Sequence, residues 1–195
     1  MKLWITRPMT AAVEARARAE FDVDIPPDTG VPSRTEMERA LRDYDVVMPT
    51  LGDLFSADVV SSVPNARCRL LANFGVGYNH IDTQAAEAAG IAVTNTPGAV
   101  TDATADIAMT LILMSARRAG EGERLVRSGA WEGWHPTQML GQHVTGKTVG
   151  IIGLGRIGAA IGGRCHFGFG MNVLYTARSE KEPGYPVTRC ASVVE

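Results

Sequence analysis

Cysteine is scarce in this chain. Of 195 residues only Cys68, Cys165 and Cys190 are cysteine, odd in number, far apart and without a C-x-x-C pair. That excludes a disulfide framework and leaves no zinc-ligand spacing; it suits a reducing cytosol, with each thiol read as a small hydrophobe. Long apolar runs are missing too: no stretch approaches the roughly 20 apolar residues that cross a bilayer, and the opening Met1-Lys2-Leu3-Trp4-Ile5-Thr6-Arg7-Pro8 is too short an apolar run for a signal peptide. Neither sign of charge dominates, with 19 basic and 21 acidic side chains and a formal net charge of -2. Spread without blocks, they give no electrostatic footprint for a nucleic-acid duplex or an anionic membrane. The expectation is a soluble, cytoplasmic protein with a small-molecule ligand and no nucleic-acid or membrane partner. Tandem repeats and low-complexity tracts are also absent.

What is present is an alternation of short apolar runs with helical stretches. Leu3 to Thr6 reads as strand and Thr10 to Phe21 as helix; Phe21 to Ile25 is a second strand before the breaker Pro26-Pro27-Asp28-Thr29-Gly30. Ser33-Arg34-Thr35-Glu36 has the spacing of a capping box and opens a helix through Leu41. Asp45 to Met48 returns to strand, Ser56 and Asp58 are placed to cap a short helix, Arg69 to Phe74 is a buried strand, Asp82 to Ala89 a helix stopped by Gly90, and Ile91 to Thr94 another strand. Apolar strands separated by helices of about ten residues predict parallel α/β layering.

Residues 1–97 therefore form one small α/β domain and residues 98–195 a second. In the second, Thr101 is a candidate N-cap of an apolar helix to Ala119 that should be buried between layers. Gly120 to Gly146, with Trp131, Trp134 and His135, reads as too irregular for a regular element. Lys147 to Ile152, Arg156 to Cys165 and Met171 to Thr176 make one βαβ unit, and Cys190 to Val194 reads as the start of a further helix.

The sharpest motif is Gly153-Leu154-Gly155-Arg156-Ile157-Gly158, a G-x-G-x-x-G between a strand and a helix. Its first glycine permits a tight turn, its second lets backbone approach a pyrophosphate and its third allows close helix packing, while the helix N-terminus offers N–H groups to the anion. About 20 residues on, where an NAD site carries a carboxylate for the ribose hydroxyls, the chain has Ala177-Arg178-Ser179. A carboxylate would repel a 2′-phosphate, whereas a guanidinium pairs with one and a serine hydroxyl adds a hydrogen bond. NADP is thus the preferred cofactor, with NAD possible. A second glycine turn, Asn73-Phe74-Gly75-Val76-Gly77-Tyr78-Asn79-His80-Ile81-Asp82, follows the buried strand; its exposed amides could hold an anion such as a carboxylate, although such a turn is more often only a turn.

These motifs, with Asn95-Thr96-Pro97-Gly98, Thr101 to Ala105, Trp131-Glu132-Gly133-Trp134 and Met139-Leu140-Gly141 in order between them, resemble the D-2-hydroxyacid dehydrogenases, in particular the glyoxylate and hydroxypyruvate reductases. The resemblance implies a flavodoxin-like substrate domain followed by an incomplete Rossmann, doubly wound parallel nucleotide-binding domain, with the active site in the cleft between them. It implies that Val76 and Gly77 hold the carboxylate of a small 2-keto or 2-hydroxy acid, and that Thr104, Arg156 and Ile157 join Gly153, Gly155, Gly158, Arg178 and Ser179 at the cofactor. It further implies a homodimer, with residues 120–141 as dimerisation arm and Trp131 and Trp134 as interface anchors.

In that family the catalytic arginine, glutamate and histidine lie downstream of the second Rossmann strand, after the last residues of this chain. No residue here is assigned a catalytic role: His80 belongs to the substrate-loop motif, His135 and His143 to the arm and His166 to a helix end, where structural roles are expected. The chain is expected to be the N-terminal part of a longer NADP- or NAD-dependent oxidoreductase, inactive by itself, with an uncovered apolar sheet face. A nucleotide-sensing interaction protein and a non-catalytic remnant are the alternative readings.

Overall fold

The computed structural model describes residues 1–194. The chain divides into two compact units, Met1–Ala99 and a second from Val100 onward.

In the first unit β1 (Lys2–Ile5), α1 (Ala11–Glu20), β2 (Asp22–Asp24), α2 (Arg34–Asp43), β3 (Val46–Met48), α3 (Ala57–Ser61), β4 (Leu70–Ala72), α4 (Thr83–Ala88) and β5 (Ala92–Thr94) follow one another. The strands form one parallel sheet in the order β2-β1-β3-β4-β5, which is the flavodoxin-like winding. Strand alternation separates two cores. Trp4, Val47 and Leu71 point into a cluster with Met37, Leu41, Phe55, Val60 and Ile91, while Leu3, Ile5, Val46 and Met48 face the opposite side with Val23 and Ala17. The helix starts follow their capping chemistry. Ser33 and Glu36 form a reciprocal capping box on α2, Ser56 caps α3 and Asp82 caps α4.

The second unit holds α5 (Thr101–Ala116), α6 (Ala119–Arg127), β6 (Thr148–Ile152), α7 (Arg156–Gly163), a π-helical turn Arg164–Gly168, β7 (Asn172–Thr176) and β8 (Thr188–Arg189). Its parallel sheet runs β6-β7-β8, the strand order of the first half of a Rossmann domain. Met109 of α5 packs with Ile161 of α7 and Cys165 of the π turn, and Arg164 on the same turn reaches Asp102 at 3.1 Å and Asp106 at 2.8 Å on α5. Tyr185 crosses α7 where Gly162 has no side chain and donates to the Ala159 carbonyl at 2.6 Å.

Several expectations are corrected. Val100, not Thr101, is the N-cap of α5, with no side-chain cap, because the backbone already turns helical at Thr101. The segment from Gly120 is regular at first: α6 forms despite Gly120 and Gly122, supported by ion pairs of Glu121 with Arg118 (2.7 Å) and of Glu123 with Arg127 (2.7 Å). The helix read to Cys165 stays α-helical only to Gly163 and widens into the π turn. No helix forms over 190–194; the strand pair β7–β8 ends there, with the Cys190 N–H donating to the Tyr175 carbonyl at 2.7 Å. Helix α5 is not buried all round either. Ala105 and Met109 are covered, whereas Ile107, Leu111 and Met114 remain exposed, because α7 covers only one of its faces. One face of the second sheet is likewise open, with Ile152 76% exposed.

Candidate functional site

The β6–α7 turn is built by glycines with distinct tasks. Gly153 takes φ +94°, a left-handed value that disfavours other residues. A Cβ at Gly158 would collide with the Gly153 carbonyl oxygen, so the third glycine lets α7 sit directly against the strand end. At Gly153 and Gly155 an added Cβ would meet nothing within 4 Å, so backbone there can be approached closely. Gly155 is the N-cap of α7 and supplies no side-chain hydrogen bond. The first N–H groups of α7, at Arg156, Ile157 and Gly158, thus lack intrahelical partners and face an open space with the positive end of the helix dipole. That arrangement fits a dinucleotide pyrophosphate.

The Gly153 N–H donates to the Thr176 carbonyl at 2.9 Å, so the loop is fastened to the end of β7, where Ala177, Arg178 and Ser179 follow. Arg178 and Ser179 are exposed, and among the described residues Arg178 pairs with no carboxylate. The cofactor candidates from Gly153 to Gly158 and those at 178 and 179 are therefore brought to adjoining strand ends. Thr104 stands exposed on the second turn of α5, its N–H bonded to the Val100 carbonyl at 2.9 Å; no hydrogen bond joins it to the glycine loop.

At the carboxyl end of β4, Asn73 organises the other glycine turn. It is only 2% exposed. Its Nδ2 donates to the Gly75 carbonyl at 3.0 Å and the Gly77 carbonyl at 2.9 Å. Because carbonyls only accept, the Asn73 amide orientation is fixed, and the ring Nε2 of His80 must be the donor in its 2.9 Å bond to Asn73 Oδ1. From the neighbouring strand, Asn95 Nδ2 donates to the Val76 carbonyl at 2.8 Å and the Thr96 N–H to the Gly75 carbonyl at 3.0 Å. All three carbonyls of Gly75-Val76-Gly77 are thereby turned into the protein. The Val76 and Gly77 N–H groups donate to no described residue, which leaves them available to an anion. Burial holds His80 below its ordinary pKa against the opposing pull of the Asp53 charge, so the ring is neutral at pH 7.

A network that sequence reasoning missed supports this turn from the ends of β1 and β3. Asp53 is fully buried; it accepts from Thr6 Oγ1 at 2.6 Å and the Thr50 N–H at 2.7 Å and pairs with Arg7 at 2.6 Å. Arg7 also donates to Thr50 Oγ1 and, at 3.2 Å, to the Leu51 carbonyl. The pair fixes the Thr50–Asp53 loop, whose exposed Leu51 side chain lies over Gly75 and Gly77. Only a charged residue straight after β1 signalled it, too common a feature to read. Among the described residues no group of three or more His, Cys, Asp or Glu is placed to hold a metal, and no helix is long and apolar enough to cross a membrane.

Two parallel α/β units, one flavodoxin-like and one with a Rossmann glycine turn, define the class of the nicotinamide-linked dehydrogenases. The family model for the D-isomer specific 2-hydroxyacid dehydrogenase catalytic domain matches residues 4–187, and the chain belongs to that family. It is 41% identical over 184 residues to glyoxylate reductase of Thermococcus kodakarensis, covering 92% of this chain and 54% of that protein. It is 40% identical over 192 residues to glycerate dehydrogenase of Hyphomicrobium methylovorum, covering 96% and 59%. A crystal structure of a D-isomer specific 2-hydroxyacid dehydrogenase from Polaromonas superposes with a TM-score of 0.88 at 36% identity, over 98% of this chain and 60% of that one. The chain spans somewhat more than half the length of the relatives it matches.

Proposed function

We propose that this chain is the substrate-loop and pyrophosphate-binding part of an NADP-preferring reductase of glyoxylate, hydroxypyruvate or a similar small 2-keto acid. The observation that carries the cofactor choice is Arg178-Ser179 at the end of β7, fastened through the Gly153–Thr176 bond to the glycine turn. A cation and a hydroxyl stand where an NAD site has a carboxylate.

In this reading residues 1–97 bind substrate and residues 98–195 bind the nucleotide. Gly153, Gly155, Arg156, Ile157 and Gly158 hold the pyrophosphate, Arg178 and Ser179 the 2′-phosphate, and Thr104 contributes from α5. Bound NADPH would supply the hydride. The Val76 and Gly77 N–H groups orient the substrate carboxylate, and Leu51 covers it. His80 is not the proton donor, because its Nε2–H is committed to Asn73. Residues 120–141 form a homodimer arm anchored by Trp131 and by Trp134, which is 79% exposed, and the protein works in the cytoplasm on a small acid.

The test is oxidation of NADPH and NADH by the protein carrying these 195 residues, with glyoxylate and hydroxypyruvate as acceptors. Turnover favouring NADPH supports the reading; no turnover of any small 2-keto acid with either nucleotide sinks it.

A further inference from the structure

We infer that Arg189 is a second guanidinium for the ribose 2′-phosphate, reaching it from the neighbouring strand β8. This rests on the NADP reading above and adds a specificity-determining residue that the G-x-G-x-x-G motif and its usual partner position do not include.

The geometry is set by the sheet. Tyr175 and Arg189 are register partners in the parallel β7–β8 pair, and the Cys190 N–H closes the ladder on the Tyr175 carbonyl. From this position the Arg189 side chain extends along the strand ends, and its Nη2 donates to the Ala177 carbonyl at 3.0 Å. Its guanidinium is thus held at the residue immediately before Arg178, by a bond that uses one of its five N–H donors. Among the described residues the others make no hydrogen bond.

Charge argues for an anion at this place. Among the described residues neither Arg178 nor Arg189 makes an ion pair, although Glu180 and Glu182 lie close by in sequence. The intervening segment is drawn back instead, with the Lys181 N–H donating to the Tyr175 hydroxyl at 3.0 Å. A dianionic phosphate at these adjoining strand ends would be attracted by both positive charges and could accept hydrogen bonds from both guanidiniums. A lone exposed arginine on a strand end would be a solvated side chain. One fastened by a backbone carbonyl beside a second arginine is a pre-oriented donor.

The experiment titrates the protein with adenosine 2′,5′-bisphosphate and with 5′-AMP by calorimetry, for the unaltered chain and for Arg189→Ala, Arg189→Gln and Arg178→Ala. Arg189→Gln keeps an amide donor for the Ala177 carbonyl, so it guards against loss of β8; thermal unfolding checks that each variant is folded. The inference predicts that both Arg189 variants weaken the bisphosphate about tenfold, leave 5′-AMP unchanged and flatten the salt dependence. If Arg178→Ala weakens the bisphosphate and the Arg189 variants do not, the NADP reading stands and Arg189 is excluded. Equal weakening of both ligands overturns the phosphate role, and an unaltered chain that binds both ligands equally overturns the NADP reading and the inference together.

Discussion

Replacing Asn73 by alanine removes three hydrogen bonds from one buried point and leaves most of the glycine turn's sequence untouched. The Gly77 carbonyl loses its one partner among the described residues, the Gly75 carbonyl keeps the Thr96 N–H, and the Nε2–H of His80 loses its acceptor. A hydrogen bond between neutral groups contributes about 0.5–1.5 kcal/mol net, and a buried group left unpaired costs about 1–3 kcal/mol. Water can reach half-buried His80 and exposed Gly77 and recovers part of this, so the expected loss is about 2–4 kcal/mol. Urea unfolding of the first unit's transition measures it. Asn73→Asp should do no better, because an ionised carboxylate accepts from His80 but cannot donate to the carbonyls. Amide exchange at Thr96, whose N–H is bonded to the Gly75 carbonyl, should also accelerate, since the turn is no longer held. A loss below about 1 kcal/mol with unchanged exchange would refute the claim that Asn73 sets the loop.

Other perturbations follow from the same geometry. Arg7→Ala leaves the Asp53 charge buried without its partner and should cost about 3 kcal/mol in chemical denaturation; a neutral outcome would mean that the Thr6 and Thr50 bonds suffice. Gly158→Ala drives a methyl group into the Gly153 carbonyl and should abolish nucleotide binding together with a drop in Tm, so retained affinity would mean that the turn is not the nucleotide site. His80 has a folded pKa below its unfolded value of about 6.5, so its contribution is full above that pH and is lost as pH falls through the folded pKa. Stability measured between pH 7.5 and 5 should therefore fall more steeply in the parent than in His80→Gln, and parallel profiles would contradict this.

Much of the layering was legible because its signals are local. Ser33 with Glu36, Ser56 and Asp82 announce their helices through side-chain caps that depend on three-residue spacing, and Gly153 to Gly158 declares a turn that only glycine can make. The misses are elements that their own residue propensities disfavour or that distant partners stabilise. Helix α6 carries two glycines and depends on ion pairs and on the left-handed Arg118 that starts it. The two-residue strand β8 exists because β7 offers a ladder. The π turn at Arg164–Gly168 forms where Arg164 is drawn to Asp102 and Asp106, about 60 residues away in sequence. At the candidate site the residue types at 73–77 were visible in the motif. That Asn73, Asn95 and Thr96 turn every carbonyl inward was not, since it depends on the β4–β5 register.

The central claim is that the end of β7 selects the phosphorylated dinucleotide. Equilibrium titration of the protein with NADPH and NADH, repeated for Arg178→Asp, tests it most directly. The account predicts at least about tenfold tighter binding of NADPH, with the preference abolished or reversed in Arg178→Asp. Equal binding of the two nucleotides by the unaltered protein, or equal weakening of both by the substitution, would contradict it.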